Sequence, residues 1–168
     1  MATPTTLPAT FVAGNVLTAA QMNDLRGAFR ILQIVEATST TETSTTSATF
    51  VTANISASIT PSATSSKVLV YATFSGRQTN NAGTSFFTLF RGTVAGTNLG
   101  NGNNGMARMY AGTTMTYDTP VALLKLDSPA TTSSQTYTVG MRSDNAANTA
   151  TANIGNCQAT IVLCEVSA

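Results

Sequence analysis

The chain contains no histidine and no tryptophan, and eight basic and seven acidic residues are all the charge it carries in 168 positions. Without histidine there is no Ser/His or Cys/His nucleophile pair and no histidine-ligated metal. The acids are Asp24, Glu36, Glu42, Asp118, Asp127, Asp144 and Glu165, each isolated in sequence. Glycoside hydrolysis needs two facing carboxylates. Asp118 and Asp127 flank one predicted strand, but they precede "TP" and "SP" and read as turn-initiating residues. A net charge of +1 sets up no field for nucleic acid or an anionic membrane. No run approaches the ~20 apolar residues of a membrane span. The two cysteines, Cys157 and Cys164, are too few for a zinc site. On one extended strand they would lie about 23 Å apart, against the ~7 Å a disulfide tolerates, so buried free thiols are expected. These absences predict a protein that is not an enzyme, with no cofactor, no metal, no nucleic-acid partner and no membrane insertion.

What is present is polar without being charged. Ser, Thr, Asn and Gln supply the surface, and 42% apolar residues supply a core. Little charge repulsion keeps copies apart, which favours self-association. Residues 1–17 carry Pro4 and Pro8 among threonines and read as an extended arm, with Leu7, Phe11, Val12 and Val16 as its apolar anchors. "MATPTTLPATFVAG" has no positively charged start and is not a signal peptide. Residues 18–29 read as a capped helix. Thr18 and Gln21 form a capping box, and Leu17 and Met22 the matching hydrophobic staple. Met22, Leu25, Phe29 and Leu32 recur at 3-4-3 spacing, a stripe that docks on the chain's own β domain, on copies of itself or on a partner. Gly27 either ends this helix or sits within it, and in the first case Phe29 and Leu32 belong to the next strand.

Residues 30–168 are β-patterned. "NISASIT" alternates Ile55, Ala57 and Ile59 against Ser and Thr; "KVLVYATFSG" places Val68, Val70, Ala72 and Phe74 on one face. "TSFFTLFRG" is apolar on both faces, and "QTYTVGMRS" sets Tyr137, Val139 and Met141 on one side. "RILQIVEA", "PVALLKLD" and "ATIVLCEVS" complete the strand signals, separated by turn clusters such as "TPSATSS" and "SDNAANT". Eight or so strands with such turns predict an all-β fold, an antiparallel jelly-roll-like sandwich.

The loop "GTNLGNGNNG" lacks the lysine and following helix of a phosphate loop and the acids of a calcium loop. It reads as a flexible surface loop. Asn98, Asn101, Asn103 and Asn104, with nearby Tyr110, are the residues to contact a neighbour or a glycan.

"FVAGNVLTAAQMNDLRGAF" resembles the short N-terminal segment of many tailed-bacteriophage structural proteins, in which a "G-x-VLTAA-x-x-N" string precedes a variable β domain. "ITPSATSSKVLV", "TLFRG", "LKLDSPATTSSQTYTV" and "ATIVLCEVS" are similar to small phage virion domains of jelly-roll type. The resemblance implies a homotrimeric virion protein made in the host cytoplasm. A capsid decoration (cement) protein, gripping the major capsid protein through its arm, fits best. The alternative is a tail-tip, tail-fibre or minor tail protein whose β domain binds a host surface glycan. A long fibre is disfavoured, because no heptad or Gly-X-Y repeat builds a shaft.

Overall fold

The computed structural model describes residues 31–79, 83–112 and 115–167. The expected arm anchors Leu7, Phe11, Val12 and Val16, and the residues Leu17, Thr18, Gln21, Met22, Leu25, Gly27 and Phe29 of the expected helix, lie outside the described residues. Within them, eleven strands form two antiparallel sheets. Eight are principal: β1 (Ile31–Ser39), β3 (Val51–Ile59), β4 (Lys67–Thr79), β5 (Gly83–Arg91), β7 (Ala107–Ala111), β8 (Tyr117–Asp127), β9 (Gln135–Ser143) and β11 (Ala159–Val166). Three short ones, β2 (Thr43–Thr45), β6 (Thr97–Asn98) and β10 (Thr149–Ala152), extend the sheets.

The pairings follow one rule. β1 pairs β11, β3 pairs β9, β4 pairs β8, and β5 pairs β7, so the chain is one long antiparallel ribbon folded back at residues 92–106. Rolling the ribbon adds β11 beside β4 and β9 beside β5. The first sheet then reads β1-β11-β4-β8 and the second β3-β9-β5-β7, which is the strand order of a jelly roll. The expected fold class holds.

Period-two alternation explains which side chains meet between the sheets. Ile55 and Ile59 of β3, Val68, Val70 and Phe74 of β4, and Tyr137, Val139 and Met141 of β9 are buried in one core with Phe87, Leu89, Ile161 and Leu163. Phe74 and Phe87 meet edge to face across the sheets, 5.2 Å between centroids. Polar groups at the core's margins are paired. Tyr137 donates its hydroxyl to Asp127 at 2.8 Å, and Arg91 closes on the same carboxylate at 3.1 Å. Glu165 is fully buried, accepting the Ser62 N–H and hydroxyl at 2.7 Å each and the Gln33 amide at 2.6 Å.

Three expectations need correction. Asp118 and Asp127 do not cap turns through local amides. Asp118 lies on β8 in a two-pronged ion pair with Arg77 of β4, and Asp127 ends β8 beneath Arg91 and Tyr137. Both cysteines are free but neither is buried: Cys157 is exposed on an excursion before β11, and Cys164 points outward from it half-buried. Leu32 lies on β1, as one of the two readings of Gly27 has it. The loop at 92–106 is not flexible surface but a pinned cover, described below.

Candidate interaction surface

The two outer faces of the sandwich are treated differently. On the second sheet the outward residues Phe86, Thr88, Phe90, Thr138, Gly140 and Arg142 lie side by side. Phe86 and Phe90 are nonetheless buried. The turn of the ribbon folds over them: Leu99 donates its N–H to Leu89 and Met106 donates to Phe87, each at 2.8 Å. Thr88 donates its hydroxyl to the Asn98 side chain at 2.7 Å. Arg142 stacks its guanidinium 4.1 Å over the Phe86 ring and donates to the Asn103 carbonyl at 2.9 Å. Phe50 closes the other flank against Phe90. Gly105 makes the turn possible: its φ is +64°, and a β-carbon there would stand 2.6 Å from the Phe87 carbonyl oxygen.

The first sheet has no such cover among the described residues. Its register aligns Ile34, Cys164, Leu69 and Leu126 in one outward row across β1, β11, β4 and β8. The next row is Glu36, Val162, Tyr71 and Leu124. Ile34 is 62%, Leu124 59%, Leu126 50% and Tyr71 42% exposed. Ile31, opposite Val166, extends the belt toward the start of β1 and is itself exposed. Beyond the second row the face turns polar with Thr38, Thr160 and Thr73. Glu36 is the only charge in the two apolar rows. Scattered surface leucines are ordinary, but a contiguous apolar belt with four strongly exposed large side chains is the kind of patch that marks an interaction site.

Past that threonine row lies a recess of about 410 Å³. Residues 153–158 leave the sheet between β10 and β11, through left-handed Asn153 and Asn156, and overhang Thr73, Ser75 and Pro120. Asp118 on the rim is held below the usual carboxylate range by the hydrogen bonds from Arg77, and its oxygens are committed to that ion pair. Cys157 contributes a thiol to the same lining. No group of three or more potential metal ligands occurs among the described residues, and no helix among them is long and apolar enough to cross a membrane.

Of the loop residues singled out from sequence, Asn98 serves the interior through Thr88 and Gly100. Asn101 accepts the N–H groups of Asn103 and Asn104 in a local turn, and these three are exposed at the tip. Tyr110 is exposed on β7 with the Arg108 guanidinium 5.5 Å from its ring, apart from the belt. The belt itself went unread in the sequence. Its signal was present: "KVLVY", "LLKL" and "TIVLC" are apolar at both parities, which a one-sided strand would not be.

No protein-family model and no curated protein sequence matches the chain. Among solved structures it is similar to the VP2 capsid protein of infectious bursal disease virus. The likeness to the Gt strain has 13% identity and a TM-score of 0.40 over 95% of this chain and 44% of that one. That to the Gx strain has 10% identity and a TM-score of 0.41 over the same shares. A VP2 mutant in T=1 particles aligns at 13% identity and a TM-score of 0.40 over 81% of this chain and 38% of that one. The chain thus spans less than half the length of each. At this level the likeness adds nothing to the topology read directly from the strand order.

Proposed function

We propose that the protein is a non-enzymatic structural subunit of a phage virion, a homotrimeric decoration (cement) protein whose N-terminal arm, through Leu7, Phe11, Val12 and Val16, grips the major capsid protein. The observation that carries this reading is the apolar belt on one sheet, uncovered among the described residues, while the other sheet is closed by its own loop. Such a molecule is built to be covered by something else. The "G-x-VLTAA-x-x-N" resemblance and the jelly-roll strand order support a virion setting. The uncharged Ser/Thr exterior supports close packing of copies without mutual repulsion.

The mechanism is mass action. A subunit that binds the finished shell but not its separate parts stabilises the shell by its binding free energy. Ordering an arm costs roughly 1–2 kcal/mol per residue in backbone entropy, so the apolar anchors must outweigh that. Quantifying the chain in purified virions tests the reading: hundreds of copies are expected. A tail protein with a glycan-binding β domain instead predicts a few copies per particle and binding of the purified chain to host glycans through the exposed Asn101–Asn104 tip or Tyr110.

A further inference from the structure

We infer that the apolar face of the first sheet is a self-complementary contact, pairing two copies of this chain across a two-fold axis that passes beside Cys164. This goes beyond the virion assignment and stands without it. Charge selects a second copy as the occupant. Glu36 faces outward on β1, one strand to one side of Cys164 and level with Val162. Lys67 faces outward on β4, one strand to the other side and level with Val166. Cys164 is therefore the midpoint between this acid and this base. The chain's other lysine, Lys125, has the inward parity of Leu123. Glu36 and Lys67 are both exposed, and neither belongs to the ion pairs of the described residues, Arg77–Asp118 and Arg91–Asp127. A two-fold axis lying in the face, perpendicular to the line from Glu36 to Lys67, sets each Glu36 over the partner's Lys67. With strands ~4.8 Å apart and successive outward residues ~6.7 Å apart, that axis runs from Cys164 to Leu124. The same operation lays Tyr71 on the partner's Leu126, Leu69 on the partner's Val162 and Ile34 beside the partner's Val166. Apolar groups thus meet apolar groups while the two charges pair. The strands of the two copies cross at roughly 70°, close to the orthogonal mode of sheet-on-sheet packing. Size sets the strength. Four strands and three outward rows give a footprint of roughly 19 by 20 Å, about 400 Å² before the relief of the side chains is counted. A standard stable interface takes ~800 Å² from each partner and a transient one less than ~600 Å², so the pair is reversible and concentration-dependent. A two-fold contact does not close a ring of three; on the trimeric reading it ties one trimer to the next.

Sedimentation equilibrium of the full chain reads the contact directly. The mass of the smallest species should double as concentration rises through the micromolar range, and a mass that never doubles overturns the inference. Glu36→Lys alone and Lys67→Glu alone each set like charges against one another across the axis. Each should raise the dissociation constant of the doubling step at least tenfold at low salt, and the two exchanges together should bring it back to within about threefold of the original. Single exchanges without effect, or a double exchange no better than the singles, overturn it. Cys164, half-buried beside the axis, is a built-in reporter. In the Cys157→Ser background a short bismaleimide should link Cys164 to the partner's Cys164, giving twice the chain mass at low micromolar protein. Leu124→Asp with Leu126→Asp, both exposed, should leave the sandwich's melting transition in place and lower the yield of that link at least tenfold. No link, or a yield that these substitutions do not move, overturns the two-fold and gives the face to a different partner.

Discussion

Glu165 is buried yet ionised, and the reason lies in its donors. Burial pushes its carboxyl up, but hydrogen bonds from Ser62, Ser66 and Gln33 outweigh that and hold it at about 2, against an ordinary 4.5. Because its folded value lies below its unfolded one, the unfolded chain binds more protons between the two. The stability this residue contributes is complete above about pH 4.5 and is lost as the pH falls toward 2. Glu165→Gln turns an amide NH₂ toward one set of these donors and should cost about 1–3 kcal/mol at neutral pH, with a flatter stability profile between pH 4.5 and 2 by chemical denaturation. Gly140 poses a steric case. It lies beneath the Phe90 ring, and a β-carbon there would stand 2.5 Å from a ring carbon with Val94 close behind. Gly140→Ala must displace a buried ring, so a loss of about 1–3 kcal/mol is expected in thermal or denaturant melts. A neutral result would show that Phe90 moves freely and that the second sheet's cover is loose.

At the scale of elements, the fold was legible wherever one face of a strand alternates cleanly. Ile55-Ala57-Ile59 and Tyr137-Val139-Met141 were placed inward by period two alone, and inward they lie. The same rule hid the belt. Assigning β4 by Val68, Val70, Ala72 and Phe74 left Leu69 and Tyr71 without a role, and only the cross-strand register brings them beside Leu126 and Leu124. The loop at 92–106 misled for a different reason. Its glycines and asparagines look mobile in composition, but its hold comes from backbone donors reaching Leu89 and Phe87 and from Arg142, far away in sequence. Arg142→Ala removes the stacked guanidinium and the link to Asn103 together. The expected outcome is faster amide exchange and proteolysis at residues 98–105, with the global melting temperature lowered by only a few degrees. If the loop stays protected, its backbone bonds alone suffice and Arg142 is incidental.

At the scale of the whole molecule, the rolled ribbon makes two unlike surfaces from one pattern: a second sheet closed by the ribbon's own turn and a first sheet whose apolar rows have no such cover among the described residues. On the proposed reading the sandwich is the rigid body and residues 1–17 are the gripping arm. Deleting residues 1–14 should leave the sandwich's far-ultraviolet spectrum and melting transition unchanged while abolishing saturation of bare capsids. Full decoration by the shortened chain would place the grip elsewhere. The most direct test of the central claim is the number of copies of this chain in purified virions, counted by quantitative mass spectrometry or in a particle reconstruction. A decoration protein predicts hundreds of copies arranged with the symmetry of the shell; a handful at the tail, or none, would contradict it.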